Sequence, residues 1–324
     1  MSLIIKGITF FFISIFLCIP DVLSSEGNVS IIEDDLYDVK VVEDKYIWAA
    51  GYYGTIIYSE DGGGNWVVQK SGTKEPLFGI SGVDPTHLWI VGAYGTILHT
   101  RDGGKNWEKQ KASTKNHLFA VQFLDEKEGW ALGNYSTILH TKDGGITWED
   151  QSLGKDLQLY GICFIDSYNG WTAGEFGVIY HTENGGKDWK KQESGIEVDL
   201  AAESVQSLFN IYFKDSNQGW AGGLDGIILK TSDGGKTWVC DKGTGTKEHL
   251  LGIHAADEMI WAVGLRGTLI SKRGEDRWFS INLELKRHLN AIDMGKKVGV
   301  IVGCNGSILL TEDKGLNWEL LLHR

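Results

Sequence analysis

Thirteen tryptophans set the frame for this chain, because they recur at a nearly constant interval. Trp66, Trp107, Trp148, Trp189, Trp238, Trp278 and Trp318 are separated by 41, 41, 41, 49, 40 and 40 residues. A second series, Trp48, Trp89, Trp130, Trp171, Trp220 and Trp261, keeps step with the first and ends on Val300 in the seventh slot. A period of ~40 residues is that of one four-stranded propeller blade. In the second unit, Leu77–Val83, Leu88–Gly92, Thr96–Thr100 and Asn106–Gln110 are short β-branched and aromatic runs bounded by Gly and Asp clusters, which is the strand signal. The pattern predicts an all-β fold: a single seven-bladed β-propeller over residues 36–324, with four antiparallel strands per blade. The first three strands are apolar on both faces and belong between neighbouring blades, with the fourth outermost and half wet. A length of 324 residues would otherwise suggest about two domains. The repeat overrides that prior, and the turns of seven units account for the 43 Gly.

Residues 1–25 stand outside the repeat. Lys6 precedes a 12-residue apolar run, Ile8–Ile19, which is broken by Pro20 and Asp21 and followed by Ser24 and Ser25. This is the pattern of a cleaved signal peptide, and the run is shorter than the ~20 residues a bilayer span needs. A retained anchor or a lipid on Cys18 is the alternative reading. Residues 26–35 form an N-terminal segment, and whether Val29–Ile32 pairs with the last blade to lock the ring is open at this level. The expectation is an exported protein, in periplasm or thylakoid lumen, with no transmembrane span after cleavage. Cys163, Cys240 and Cys304 are odd in number, far apart and lack a C-x-x-C, so they are expected to be packing residues and not disulfide, zinc or haem ligands. A net charge of −12 excludes a general nucleic-acid binder, which needs a basic footprint.

Between the third and fourth strands of each unit lies one motif: SEDGGGNW from Ser59, TRDGGKNW from Thr100, TKDGGITW from Thr141, TENGGKDW from Thr182 and TSDGGKTW from Thr231. SKRGEDRW from Ser271 and TEDKGLNW from Thr311 are worn copies. Asp or Asn that accepts hydrogen bonds from its own backbone, followed by Gly, makes a hairpin turn. The motif resembles the Asp-box of sialidases and many other propellers, where it is structural. Seven units of the form LFGISGVD, LWIVGAYGTILHT and DGGKNW behind a leader resemble the photosystem II stability/assembly factor family of lumenal and periplasmic propellers. That resemblance spans Leu36 to Leu322 and implies a non-catalytic scaffold or assembly factor for a membrane-associated complex, photosynthetic or otherwise redox, with one of its subunits as protein partner. The family is associated with an arginine-rich face, whereas this chain has six Arg in all.

A sialidase reading lacks its parts: no Arg-Ile-Pro element occurs, no Arg precedes Arg101, and the unit count is seven. Other glycosidases need two carboxylates across one cleft, and the Asp and Glu residues here fall mostly in repeated turns. No catalytic residue, metal ligand or cofactor is assigned. His99, His140 and His181 share one slot before the motif and are expected on the strand surface at the periphery. His117, His249 and His288 immediately precede the innermost strand, which places them at the mouth of the central channel. The turns joining strands two and three share a face with the blade-to-blade loops. The box turns and one-to-two turns share the other face, which collects most of the negative charge. The third positions of the two-to-three turns are Tyr53, Tyr94, Tyr135, Phe176, Asp225, Arg266 and Asn305. Four adjacent blades thus offer an aromatic side chain, with Lys74, Lys115, Lys247, Lys286, Arg287 and Arg266 around them. Aromatic anchors edged by cations are the composition of binding hot spots. The eight extra residues in the loop Lys190–Ser207 emerge beside Phe176. This face is the expected partner-binding surface. The alternatives are that the tyrosines only line the channel rim, or that they stack on a carbohydrate ligand.

Overall fold

The computed structural model describes residues 33–196 and 206–321. The leader, Val29–Ile32 and most of the long insertion lie outside these residues. The described chain forms seven four-stranded sheets, each an antiparallel meander of strands consecutive in sequence. The innermost strands are Leu36–Val42, Leu77–Gly82, Leu118–Phe123, Leu159–Phe164, Leu208–Phe213, Leu250–Ala256 and Leu289–Met294, and each packs beside the next around a closed ring. No α-helix occurs among the described residues. In blade 2 the four strands are Leu77–Gly82, Leu88–Gly92, Ile97–Thr100 and Glu108–Lys109. The fourth is shorter than the sequence pattern suggests because Asn106 belongs to the turn: its N–H donates to Asp102 Oδ1 at 2.9 Å.

The core lies between blades. Seven apolar clusters fill the seven seams; that of blades 1 and 2 joins Val42, Trp48, Ala50 and Ile56 to Leu77, Ile80, Leu88, Ile90 and Leu98. Each second-strand tryptophan of blades 2 to 4 is the centre of an aromatic sandwich. Trp89 lies between His99 (4.4 Å) and Phe123 of the next blade (3.6 Å), both within 7° of parallel. Trp130 repeats this with His140 and Phe164, and Trp171 with His181 and Phe213. The box tryptophans Trp148, Trp189 and Trp238 close the far side edge-on. This corrects the expected place of the histidines. His99 and His140 are 2 % and 4 % exposed, because the residue paired across the sheet from each tryptophan shares its face and is covered by the next blade. Burial accordingly lowers the pKa of all three, that of His99 to about 4.

Polar stitches run alongside. The glutamine ending a fourth strand reaches into the box turn of the next blade: Gln69 Nε2 donates to the Gly103 carbonyl (2.8 Å), Gln110 to Gly144 (2.8 Å) and Gln192 to Gly234 (3.1 Å). Gly104 is required by its own turn, at φ 84°, and a side chain there would also displace the Gln69 amide from its bond to Gly103. Nearer the axis, one slot of the inner strand does the same. Ser81 Oγ, Gln122 Oε1, Cys163 Sγ and Asp293 Oδ2 accept the N–H of Phe123, Phe164, Phe213 and Val41, each from the adjoining blade. Cys163 and Cys304 are buried as expected of packing residues, while Cys240, on the outer strand Val239–Cys240, is exposed. An outermost strand has no blade beyond it to cover the thiol.

Candidate functional site

The two-to-three turns of blades 1 to 6 are three-residue helical turns, and in all seven blades the middle residue has a left-handed backbone. Tyr53, Tyr94, Tyr135, Phe176, Asp225, Arg266 and Asn305 have φ between 51° and 59°. A non-glycine residue costs roughly 1–2 kcal/mol there. The geometry turns each side chain away from the blade, and Tyr53, Tyr94, Tyr135 and Phe176 stand 53 %, 65 %, 50 % and 46 % exposed.

Blade-to-blade loops hold these turns in place, which puts both on one face: Ala93 N donates to the Pro76 carbonyl, Gly95 N to Asn116 and Asn134 N to His117, and in blade 1 the N-terminal segment does the same through Tyr52 N and the Asp35 carbonyl. The three channel-mouth histidines complete the support. His117 Nδ1 accepts the N–H of Tyr94 at 3.0 Å, His249 Nδ1 that of Asp225 at 3.1 Å, and His288 Nδ1 that of Arg266 at 3.0 Å. Asp35 Oδ1 plays the part for Asn305 at 2.8 Å. An accepting Nδ1 requires a neutral ring, and burial holds His117 and His288 below the ordinary histidine pKa. These histidines are therefore braces for the turns.

Of the predicted cations, Lys74, Lys115, Lys247, Lys286 and Arg287 are exposed. Lys74 Nζ lies 5.3 Å from the centre of the Tyr53 ring, a cation–π contact that joins one basic position to the aromatic arc. Arg266 pairs with Glu248 at 3.2 Å, and Arg287 donates to the Asn305 carbonyl at 3.3 Å, and both side chains remain exposed. The inserted loop is described as far as Ile196, which packs beside Gly177, next to Phe176.

A second aromatic group lies inside the arc. Tyr37, Phe78, Phe119, Tyr160 and Phe209 follow the leading leucine of five consecutive inner strands. Their rings run from one to the next at 5.7, 5.7, 5.6 and 5.5 Å, and Leu251 and Asn290 hold the same slot in the last two blades. All five rings are half-buried. Phe78 meets His117 edge-on at 6.5 Å, and Tyr94 meets the same imidazole at 4.8 Å, so collar and outer arc are continuous. The sequence reading passed over this collar, although its signal was available: an aromatic residue after the first leucine of units one to five. The arrangement is a collar of half-buried aromatic rings with exposed aromatics beside it and lysines at its edge.

A family model described as photosynthesis system II assembly factor YCF48 matches residues 65–192 and 190–323. No curated protein matches the chain in sequence. Among solved structures it is similar to YCF48 bound to D1 peptide (TM-score 0.72, 18 % identity, 88 % of this chain and 93 % of that one). It is also similar to YCF48 from Cyanidioschyzon merolae (0.71, 18 %, 90 % and 98 %). The GH74 xyloglucanase from Xanthomonas campestris shares the fold (0.68, 12 %, 89 % of this chain and 53 % of that one).

Proposed function

The chain belongs to the family of photosynthesis system II assembly factor YCF48, and from that premise we propose that it is a non-catalytic propeller that binds a polypeptide segment of a membrane-complex subunit. The binding face is the one that carries Tyr53, Tyr94, Tyr135 and Phe176, with Lys74, Lys115, Lys247 and Lys286 orienting the segment. The protein works in an exported compartment, thylakoid lumen or periplasm, as an assembly factor or scaffold.

One observation carries this reading. Four consecutive blades place a large aromatic side chain at a left-handed position where glycine would be unstrained, and leave the ring about half or more exposed. Neither folding nor packing asks for that combination, whereas recognition does. The family supports a protein partner, since one structurally similar relative is held with D1 peptide. Tyr94→Ala with Tyr135→Ala tests the proposal, read by fluorescence anisotropy with a labelled D1 peptide. The wild-type chain is expected to bind, the double variant to bind at least tenfold more weakly, and the melting temperature to stay within a few degrees. Unchanged binding in the variant, or none by the wild type, overturns the assignment of this face.

A further inference from the structure

The opposite face carries a group of side chains that the proposed binding surface does not use. The one-to-two turns of blades 2 and 3 lie side by side there, and bring together Asp84, His87 and Glu126. Asp84 Oδ2 is 2.8 Å from His87 Nδ1, Glu126 Oε1 is 3.9 Å from the same nitrogen, and the three atoms all lie within 4.8 Å of one another.

We propose that Asp84, His87 and Glu126 form a binding site for a divalent transition-metal ion of the Zn2+ class, clamping blade 2 to blade 3. Donor atoms ~2.1 Å from a tetrahedral Zn2+ stand about 3.4 Å apart, and the observed separations bracket that value. One imidazole with two carboxylates is an intermediate donor set, which favours Zn2+ over the all-oxygen cations Mg2+ and Ca2+.

The turn directs the second carboxylate oxygen at the imidazole: His87 Nδ1 lies 2.8 Å from Asp84 Oδ2 and 3.0 Å from Thr86 Oγ1, contacts that a cation would replace. Asp84, Asp125, Asp166 and Asp215 are equivalent, and each uses Oδ1 to accept the backbone N–H groups two and three residues on. At Asp84 this orients Oδ2 toward the imidazole. His87 is particular to blade 2: Glu128, Asn169 and Gln218 occupy its slot in blades 3 to 5.

A buried nitrogen behind the cluster is the second observation. His99 is 2 % exposed, and its Nε2 has no hydrogen-bond partner among the described residues. In blade 3 the same nitrogen of His140 faces Glu128 Oε1 at 3.2 Å, and Glu128 is the counterpart of His87. Nε2 of His99 is thus aimed at the His87 side chain, with the two rings 6.3 Å apart. Gln110 Nε2 lies 3.3 Å from His99 Nδ1, which leaves the proton on Nε2. A water on the cation gives that N–H its acceptor, an outer-shell contact of the kind that orients metal sites. His181 Nε2 also lacks a partner, but blade 4 offers no imidazole–carboxylate group beside it.

The test uses Zn2+ as the probe on the full-length mature chain, by titration against a chromophoric chelator and by thermal unfolding with and without the ion. One equivalent of Zn2+ is expected to bind with a Kd below about 10 µM and to raise the melting temperature, since an ion that binds only the folded chain stabilises it. His87→Ala and Glu126→Gln should each weaken binding at least tenfold and abolish the thermal shift, while Mg2+ gives none. Both side chains lie on the surface turns, so near-UV circular dichroism in excess chelator should match the wild type. If His87→Ala does not fold, Glu126→Gln, at an exposed side chain, decides the question. Absence of saturable Zn2+ binding, or equal binding by the wild type and the Glu126→Gln variant, overturns the site.

Discussion

At the scale of single residues, His99 tests whether the aromatic sandwich is a pH-dependent element of stability. Burial, reinforced by the charges of Arg101 and His87, holds its pKa at about 4, against 6.5 in the unfolded chain. Between those values the unfolded chain takes up a proton that the folded chain does not, so stability is complete above pH 6.5 and falls as the pH drops toward 4. Blade 1 supplies a control that does not titrate in this range, because Tyr58 holds the same slot and stacks on Trp48 at 4.7 Å. Relative to His99→Tyr, the wild type should lose roughly 2–3 kcal/mol between pH 7 and pH 4, measured as the change in urea midpoint. Equal pH dependence in both chains would show that His99 titrates normally and that the sandwich is open to water. His254, also near 4 through burial, adds to the loss in both chains. Asp38 opposes it: burial lifts its carboxyl to about 7, so the folded chain binds the extra proton between 3.8 and 7. The comparison of variants cancels both.

At the scale of elements, the stack and the glutamine stitch should differ in weight. Trp130 is fully buried between His140 and Phe164, and its indole N–H donates to the Gly185 carbonyl at 3.1 Å. Trp130→Ala is expected to cost about 3–5 kcal/mol. Gln192→Leu removes the bond to Gly234 and the acceptor of the Trp238 indole at 3.1 Å, and should cost about 1–3 kcal/mol. A chemical-denaturation series that ranked the glutamine above the tryptophan would contradict a core lying between blades. The strands themselves were legible in the sequence, because alternating apolar runs and box turns recur at fixed offsets. Position along a strand reads directly, so the bounds differ by a residue at strand ends such as Val83, Thr96 and Gln110, and by two where the box residues Asn106 and Trp107 were counted as strand. Contact across a seam does not read from one unit alone. His99 looked peripheral because the blade that covers its face, through Phe123 stacked on the far side of Trp89, belongs to the following unit. The binding face was half legible for the same reason. Tyr53, Tyr94, Tyr135 and Phe176 declared themselves through their turns, whereas Tyr37, Phe78, Phe119, Tyr160 and Phe209 resembled core residues until the ring brought five of them round one axis.

At the scale of the whole molecule, the question is what holds blade 7 to blade 1. Each blade takes its four strands from one stretch of chain, so among the described residues no strand is exchanged to lock the ring. Closure rests on the apolar seam, with Leu36, Val39 and Val41 against Ala291, Val298, Val300 and Val302, and on a set of polar contacts across it. Asp293 is the centre of that set. It accepts the Val41 N–H at 2.8 Å, pairs with Lys40 at 2.9 Å and lies 3.5 Å from His254 Nδ1. Burial works against the Lys40 charge, but Asp293 outweighs it and raises the lysine above its ordinary pKa. Asp293→Ala strands both the lysine and the buried N–H, and should cost about 2–4 kcal/mol, less than a fully buried pair because Lys40 keeps some contact with water. Asp293→Asn keeps an acceptor for Val41 and should cost less. Lys40→Met combined with Asp293→Asn removes the unpaired charge and should return stability to within about 1 kcal/mol of wild type. Ser81→Ala, which breaks the corresponding stitch between blades 2 and 3, sets the scale at about 1 kcal/mol. Urea denaturation of these four variants gives the comparison. A cost for Asp293→Ala no greater than that for Ser81→Ala would mean that Asp293 adds no more to the closing seam than Ser81 adds to the seam of blades 2 and 3, and that the ring has no special polar lock at its closure.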